Sequence, residues 1–220
     1  ITKTLEYERE AGGKRQYAKV TLALEPRERG SGNLFENKLP VVPKGQKGDP
    51  PLHPVFIQST KTGSEDALTR GPLLGYPVVD VGVSLTNAAF REGDSSDASF
   101  QAAAAMGTMQ ALEEGAPVLL EPMMAVEVVV PDEFTGNVVS DLNGRRGRIM
   151  GMEPARAAFE GGRVTAQIVK AEVPLAEMVG YATAIRSATQ GRASYTMQFS
   201  HYAEVPRDTQ AAIVTQMRGY

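Results

Sequence analysis

Residues 123–154 read MMAVEVVVPDEFTGNVVSDLNGRRGRIMGMEP, and this stretch decides how the chain is parsed. MMAVEVVVP reads as a strand. PDEFTGNVVSDLNGRRG reads as a helix. Pro131, Asp132 and Glu133 lie in or near its first turn and Arg145 and Arg146 at its last, a polarity that suits the helix macrodipole. RIMGMEP is a short strand. Downstream, RVTAQIVKAEVP is a strand, LAEMVGYATAIRSATQG a helix closed by glycine, and ASYTMQFSHYAEVP a strand. The order β-α-β-β-α-β within about 80 residues is the split βαβ, ferredoxin-like arrangement. A last short helix follows Pro206.

Upstream of LLEPMM the pattern is different. ITKTLEYERE and QYAKVTLALEP are strand-like, and in the second Val20, Leu22 and Leu24 alternate with Lys19, Thr21 and Ala23. AGGKRQ, between them, is a glycine turn carrying Lys14 and Arg15. Residues 26–54 are rich in glycine, proline and charge, and PVVPKGQKGDPPLHP admits neither a helix nor a central strand. FIQSTKTGSEDALTR predicts a helix, weakened by Gly63 and ended by Gly71-Pro72. PVVDVGVSLT predicts a strand with Val79, Val81, Val83 and Leu85 on one face. A loop through Arg91-Glu92-Gly93 then opens a helix, with Asp94, Ser95 or Ser96 as N-cap and Asp97 in the first turn. Phe100, Ala104, Gly107 and Ala111 recur at helical spacing, and so small a stripe implies close packing on a sheet. The fold class is therefore α+β, in two domains that break near Leu120–Met123.

Composition narrows the function. The 220 residues carry a net charge of −3, so contact with nucleic acid must come from local basic clusters. No cysteine is present, which removes disulfides, cysteine-ligated zinc and a thiol nucleophile. Two histidines, His53 and His201, are too few for a histidine metal cluster. No apolar run is long enough to span a membrane and no signal peptide is visible. The chain opens on ITKTLEYERE without a methionine and reads as a piece of something longer.

Catalytic signatures are missing. There is no phosphate loop, nucleophile elbow, H-E-x-x-H or C-x-x-C. GGKRQ has the glycines and a lysine but joins two strands, with no helix after it. His201 reads as structural, and Glu113/Glu114 and Asp132/Glu133 as solvated charges or dipole partners. Basic residues on turns stand out instead: Lys14, Arg15 and Lys19; Arg91; and Arg145, Arg146 and Arg148, with Arg186 and Arg192 beside them. On a mildly acidic protein this pattern points to phosphate-backbone contacts, against the plainer reading of a solvated surface.

GPLLGYPVVDVGVSL (71–85), GDSSDASF (93–100), PVLLEPMMAVEV (117–128), DLNGRRGRIMGME (141–153), VPLAEMVGYATAIRSATQGRASY (173–195) and HYAEVP (201–206) resemble the C-terminal part of bacterial-type elongation factor G, its domains IV and V. The resemblance covers nearly the whole chain. It implies a domain IV over 1–121, completed by the C-terminal helix 206–220 and built on an unusual left-handed βαβ crossover. It implies a ferredoxin-like domain V over 122–205. The parent is implied to be a GTPase of the cytoplasm or mitochondrial matrix whose GTP lies in a nucleotide domain upstream. No catalytic, cofactor or metal residue is expected in this chain, which is not expected to bind GTP. The implied partners are the ribosome, its RNA and A-site tRNA, and neither a membrane nor DNA.

In the family, domain IV is an arm whose tip enters the small-subunit decoding region during translocation. Carried over, the tip comprises Gly12, Gly13, Lys14, Arg15 and Gln16, with Arg91 on the neighbouring loop. Arg145, Arg146 and Arg148 are candidates for contact with large-subunit RNA. Two departures stand out. The family typically has histidine where Arg91 stands and a further glycine where Arg15 stands. An arginine is always charged and can grip a phosphate bidentately. Roughly ten extra residues precede the first helix, long for a loop, and 43–54 is expected to be mobile and dispensable for folding. Lys14-Arg15 resembles the recycling-type second elongation factor G of mitochondria, which splits ribosomes with the recycling factor. Three readings therefore stand: a translocating arm, a ribosome-splitting arm, and a free-standing interaction module without a GTPase.

Overall fold

Two glycines set the geometry of the N-terminal hairpin. Strand β1 (Thr2–Ala11) pairs antiparallel with β2 (Lys14–Pro26), closing at Ala11 opposite Lys14. Gly12 and Gly13 fill the two-residue turn with φ of 59° and 74°. Two consecutive positive φ values give a turn that matches the twist of the flanking strands and that residues with a Cβ resist. The computed structural model describes residues 1–40, 51–159 and 162–219. By its contacts the chain divides into two units, Ile1–Pro117 with Ala211–Tyr220, and Val118–Gln210.

In the first unit the sheet order is β1-β2-β4-β3, with β4 (Val81–Ala89) antiparallel to β2 and β3 (Leu34–Asn37) parallel to β4. Val20, Leu22 and Leu24 of β2 face the core, as their alternation predicts. β3 lies within the glycine-, proline- and charge-rich residues 26–54, just before PVVPKGQKGDPPLHP, where the sequence reading assigns no element. Four residues on a sheet edge are too short to show an alternation. Helix α1 (Pro54–Leu68) connects β3 to β4. It begins earlier than the apolar run suggests: His53 caps it, its Nδ1 accepting from Val55 N–H at 3.4 Å, and Pro54 occupies the first turn. Positions 53 and 54 of the 43–54 segment are thus part of a helix start, while 41–50 lie outside the described residues.

Helix α2 (Asp97–Glu114) is capped by Ser96, which exchanges hydrogen bonds with Ser99. Its small face meets both neighbours. Gly107 packs against Leu5 and Leu22 of the sheet. Phe56 of α1 stacks on Phe100 at 4.6 Å between centroids, and Thr108 is hydrogen-bonded to Ser64 inside the packing.

Val79 does not join the strand face expected for it. It is half exposed, because Asp80 adopts φ 61° and the strand begins only at Val81. That turn aims the Asp80 carboxylate at the Gly30 and Gly32 amides, which donate to it at 3.0 and 2.9 Å. The Gly30 amide foremost, then Gly32, Arg29 and Arg27, hold its pKa below the ordinary 3.8 against the opposing effect of burial. A depressed pKa means that the folded state holds fewer protons than the unfolded one, so this stabilisation exists above the ordinary value and disappears as pH falls through the folded value. Asp80→Asn should therefore cost about 1–2 kcal/mol at neutral pH, with the gap from wild type closing below pH 3.8. Urea unfolding at pH 7 and pH 3 reads this directly, and a gap independent of pH would refute it.

The second unit has β5 (Leu120–Pro131), α3 (Thr135–Gly144), β6 (Arg148–Phe159), β7 (Gly162–Pro174), α4 (Tyr181–Ala188) and β8 (Ser194–Glu204). The sheet is antiparallel, in the order β6-β7-β5-β8, the ferredoxin-like arrangement. Its core joins Val126, Val128 and Val130 of β5 and Val169, Ala171 and Val173 of β7 to Val138 and Leu142 of α3 and Tyr181 and Ile185 of α4. Two expectations need correction. β6 runs on through Pro154 to Phe159, because it is an edge strand, where proline need not forfeit a ladder hydrogen bond. The run from Leu175 is not one helix. It makes a 3₁₀ turn (Leu175–Met178), extends at Val179 and reverses at Gly180, with φ 75°, before α4 starts. After β8, Arg207–Arg218 form α5.

Candidate nucleic-acid interface

The two loops singled out in the first unit meet at one end of its sheet. Tyr17, just after the glycine turn, donates its backbone N–H to Asp94 O at 3.0 Å. Its carbonyl accepts from Ser95 Oγ at 2.8 Å and Ser99 Oγ at 3.0 Å. Ser95 Oγ also accepts from the Arg91 amide. The serines near the start of α2 therefore tie the Arg91 loop to the base of the hairpin as well as capping the helix. Asp94 serves this tie through its carbonyl and is not the cap.

Arg91 itself is held on its own chain. Its guanidinium carbon lies 3.6 Å from the centroid of the Tyr17 ring. Nη1 reaches Glu8 Oε1 at 2.9 Å and Nη2 lies 3.8 Å from Glu6 Oε1. Tyr17 Oη donates to Glu6 at 2.9 Å, and Lys19 pairs with the same carboxylate. The Tyr17 hydroxyl, then Lys19, hold the Glu6 pKa low, while burial and next the Glu6 hydrogen bond push the Tyr17 phenol up. Lys14 and Arg15 differ. Both are exposed beside the Gly12-Gly13 turn, and neither side chain has a hydrogen bond or ion pair among the described residues. Gln16 is half-buried next to them. GGKRQ closes a β-hairpin and precedes no helix, so its residues do not fit the cradle that a nucleotide phosphate requires.

In the second unit the arginines fall into two groups. Arg145 donates through Nε to Asp141 at 2.8 Å and through Nη1 to Glu177 O at 2.5 Å. Arg146 forks onto Glu121 at 2.7 and 2.8 Å, and its Nε donates to Glu177 at 2.9 Å. Arg146 sits at φ 57° past the end of α3, where Gly147 N–H returns to Leu142 O at 2.9 Å. This is a Schellman ending, whose left-handed position usually belongs to glycine. Glu121 draws Arg146 further into its charged form, against the opposing effect of burial. Arg148 is 73% exposed, with Glu172 3.9 Å away. Of the three, only Arg148 presents its charge mainly to solvent. Arg192 pairs with Glu133 at 2.8 Å over the Phe134 ring, and Arg186 is exposed. His201 is exposed, 3.0 Å from Ser200 Oγ, and Glu114 pairs with Lys3.

Sequence reasoning found the cations and missed the acids that hold them. Glu6 and Glu8 are two apart on β1 and so share a face. That signal was legible in LEYERE, but their meeting with Arg91 needs the β1–β2 register and a loop 83 residues away. No group of three or more His, Cys, Asp or Glu among the described residues could hold a metal.

Comparison with known proteins agrees with this architecture. Residues 2–116 match the family model described as elongation factor G, domain IV, and residues 118–213 the model described as elongation factor G C-terminus. A crystal structure of a Thermus thermophilus protein is similar over 100% of this chain, with a TM-score of 0.76 and 36% identity. The chain spans 30% of the length of that protein. With one family model on each structural unit, the chain belongs to the elongation factor G family, as its domain IV and C-terminal domain.

Proposed function

We propose that this chain is the ribosome-engaging arm of a translational GTPase and that its tip enters the small-subunit decoding region to move tRNA and mRNA. The observation that carries the reading is a family match on both units joined to a hairpin end whose two cations, Lys14 and Arg15, have no partner among the described residues. A two-residue turn with open space around both glycines is narrow enough to reach into a groove, and cations with no partner among the described residues can neutralise phosphates. GTP would be bound and hydrolysed elsewhere in the parent. Of Arg145, Arg146 and Arg148, Arg148 is the one best placed to touch large-subunit RNA.

In the full-length factor on bacterial ribosomes, Lys14→Ala/Arg15→Ala should slow single-round translocation by at least roughly tenfold, since each charge-assisted contact is worth about 1–3 kcal/mol. GTP hydrolysis should be retained. Unchanged translocation in the double variant would sink the assignment of the tip. Splitting of ribosomes with the recycling factor, in place of translocation by the wild-type factor, would favour the recycling reading that Lys14-Arg15 also resembles.

A further inference from the structure

We infer that Arg91 is a positioning residue: it locks the 90–96 loop onto the β1–β2 hairpin and leaves phosphate contact to Lys14 and Arg15. This rests on the reading of the hairpin end as a ribosome-facing tip. Three contacts hold the guanidinium: its carbon 3.6 Å from the Tyr17 ring centroid, the Glu8 pair at 2.9 Å and the second carboxylate, Glu6, at 3.8 Å. The ring beneath is itself fixed. Tyr17 is 5% exposed, its hydroxyl is bonded to Glu6, and its N–H and C=O are taken by Asp94 and the serines of the loop. To reach a phosphate, Arg91 would have to leave the Glu8 hydrogen bond, the nearby Glu6 carboxylate and an aromatic face, which offsets part of what it gained. Lys14 and Arg15 leave no hydrogen bond or ion pair among the described residues. The planar fork also explains why lysine would serve poorly here: a point charge can meet Glu8 but cannot at once lie over the ring and reach two carboxylates.

The tests are amide hydrogen exchange in the 220-residue chain and the salt dependence of ribosome binding by the full-length factor, with vacant bacterial ribosomes as probe. Arg91→Ala and Arg91→Lys should each speed exchange at the Tyr17 and Ser95 amides, by about tenfold or more for the alanine variant. Arg91→Ala should weaken ribosome binding with the slope of log K against log salt unchanged. Lys14→Ala and Arg15→Ala should each lower that slope by about 0.7–0.9 and leave exchange as it was. Unchanged exchange in Arg91→Ala would overturn the inference, as would a loss of slope matching one phosphate contact. If neither Lys14→Ala nor Arg15→Ala affects ribosome binding, the tip assignment fails, and exchange still decides what Arg91 does.

Discussion

Gly63→Ala should destabilise the first unit and Gly63→Val should unfold it at moderate temperature. On an exposed helix face the alanine change would be favourable by about 1 kcal/mol, because glycine is the poorer helix former. Here the sign reverses. A Cβ on Gly63 would lie 2.2 Å from the Gln101 carbonyl oxygen, 2.9 Å from its carbon and 3.0 Å from its Cα. All three are backbone atoms of α2 and cannot swing aside. The helices must separate, which strains the Phe56–Phe100 stack and the buried Thr108–Ser64 hydrogen bond. Overpacking of this kind costs about 1–3 kcal/mol for small insertions and more for a β-branched side chain. Urea unfolding followed by amide exchange on β2 and β4 reads the first unit separately from the second. An alanine variant with a raised midpoint would show that the close approach of α1 and α2 is not required.

Arg146→Ala should cost the second unit about 2–3 kcal/mol. The Glu121 side chain is 12% exposed and takes both arms of the guanidinium, so truncation leaves a carboxylate largely withdrawn from water without its cation. The figure sits at the lower end for such a pair because Arg146 remains 30% exposed. Arg146→Gly loses the same pair but relieves the left-handed backbone, by about 1 kcal/mol. The glycine variant should therefore be the more stable of the two. Thermal unfolding of both variants against wild type tests the order. Equal stability would mean that the left-handed position stores no strain, and a wild-type-like alanine variant would mean that the fork onto Glu121 is dispensable.

The same arginine shows how far a sequence can be read. DLNGRRG announces a helix end, and the helix ends there. What the string does not say is that Arg146, and not a glycine, takes the left-handed position, because the reward lies in Glu121 and Glu177, which are 25 and 31 residues away. Arg91 repeats the lesson. As a charged residue on a short loop it suggests a phosphate grip, and the carboxylates that hold it lie on a strand more than 80 residues earlier. The broken run at Val179-Gly180 and the continuation of β6 through Pro154 escape the sequence for a related reason. Local propensity is a weak prior that packing and edge position override.

The sequence by itself determined the order of elements in the second unit, the Gly12-Gly13 turn, the inward alternation of β2 and the start of α2 within three candidate caps. Each of these is written in residues a few positions apart, and backbone geometry makes neighbours of such residues whatever the rest of the chain does. Only the tertiary structure decided that β3 exists, that Gly63 is where α1 meets α2, and which cation of the tip the acids hold. Those outcomes depend on strand register and helix contact between distant segments. As basic residues on turns Lys14, Arg15 and Arg91 read alike, and they differ because Glu8 pairs with Arg91 and Glu6 lies near it, whereas Glu10, opposite Arg15 in the β1–β2 ladder, forms no ion pair with it among the described residues.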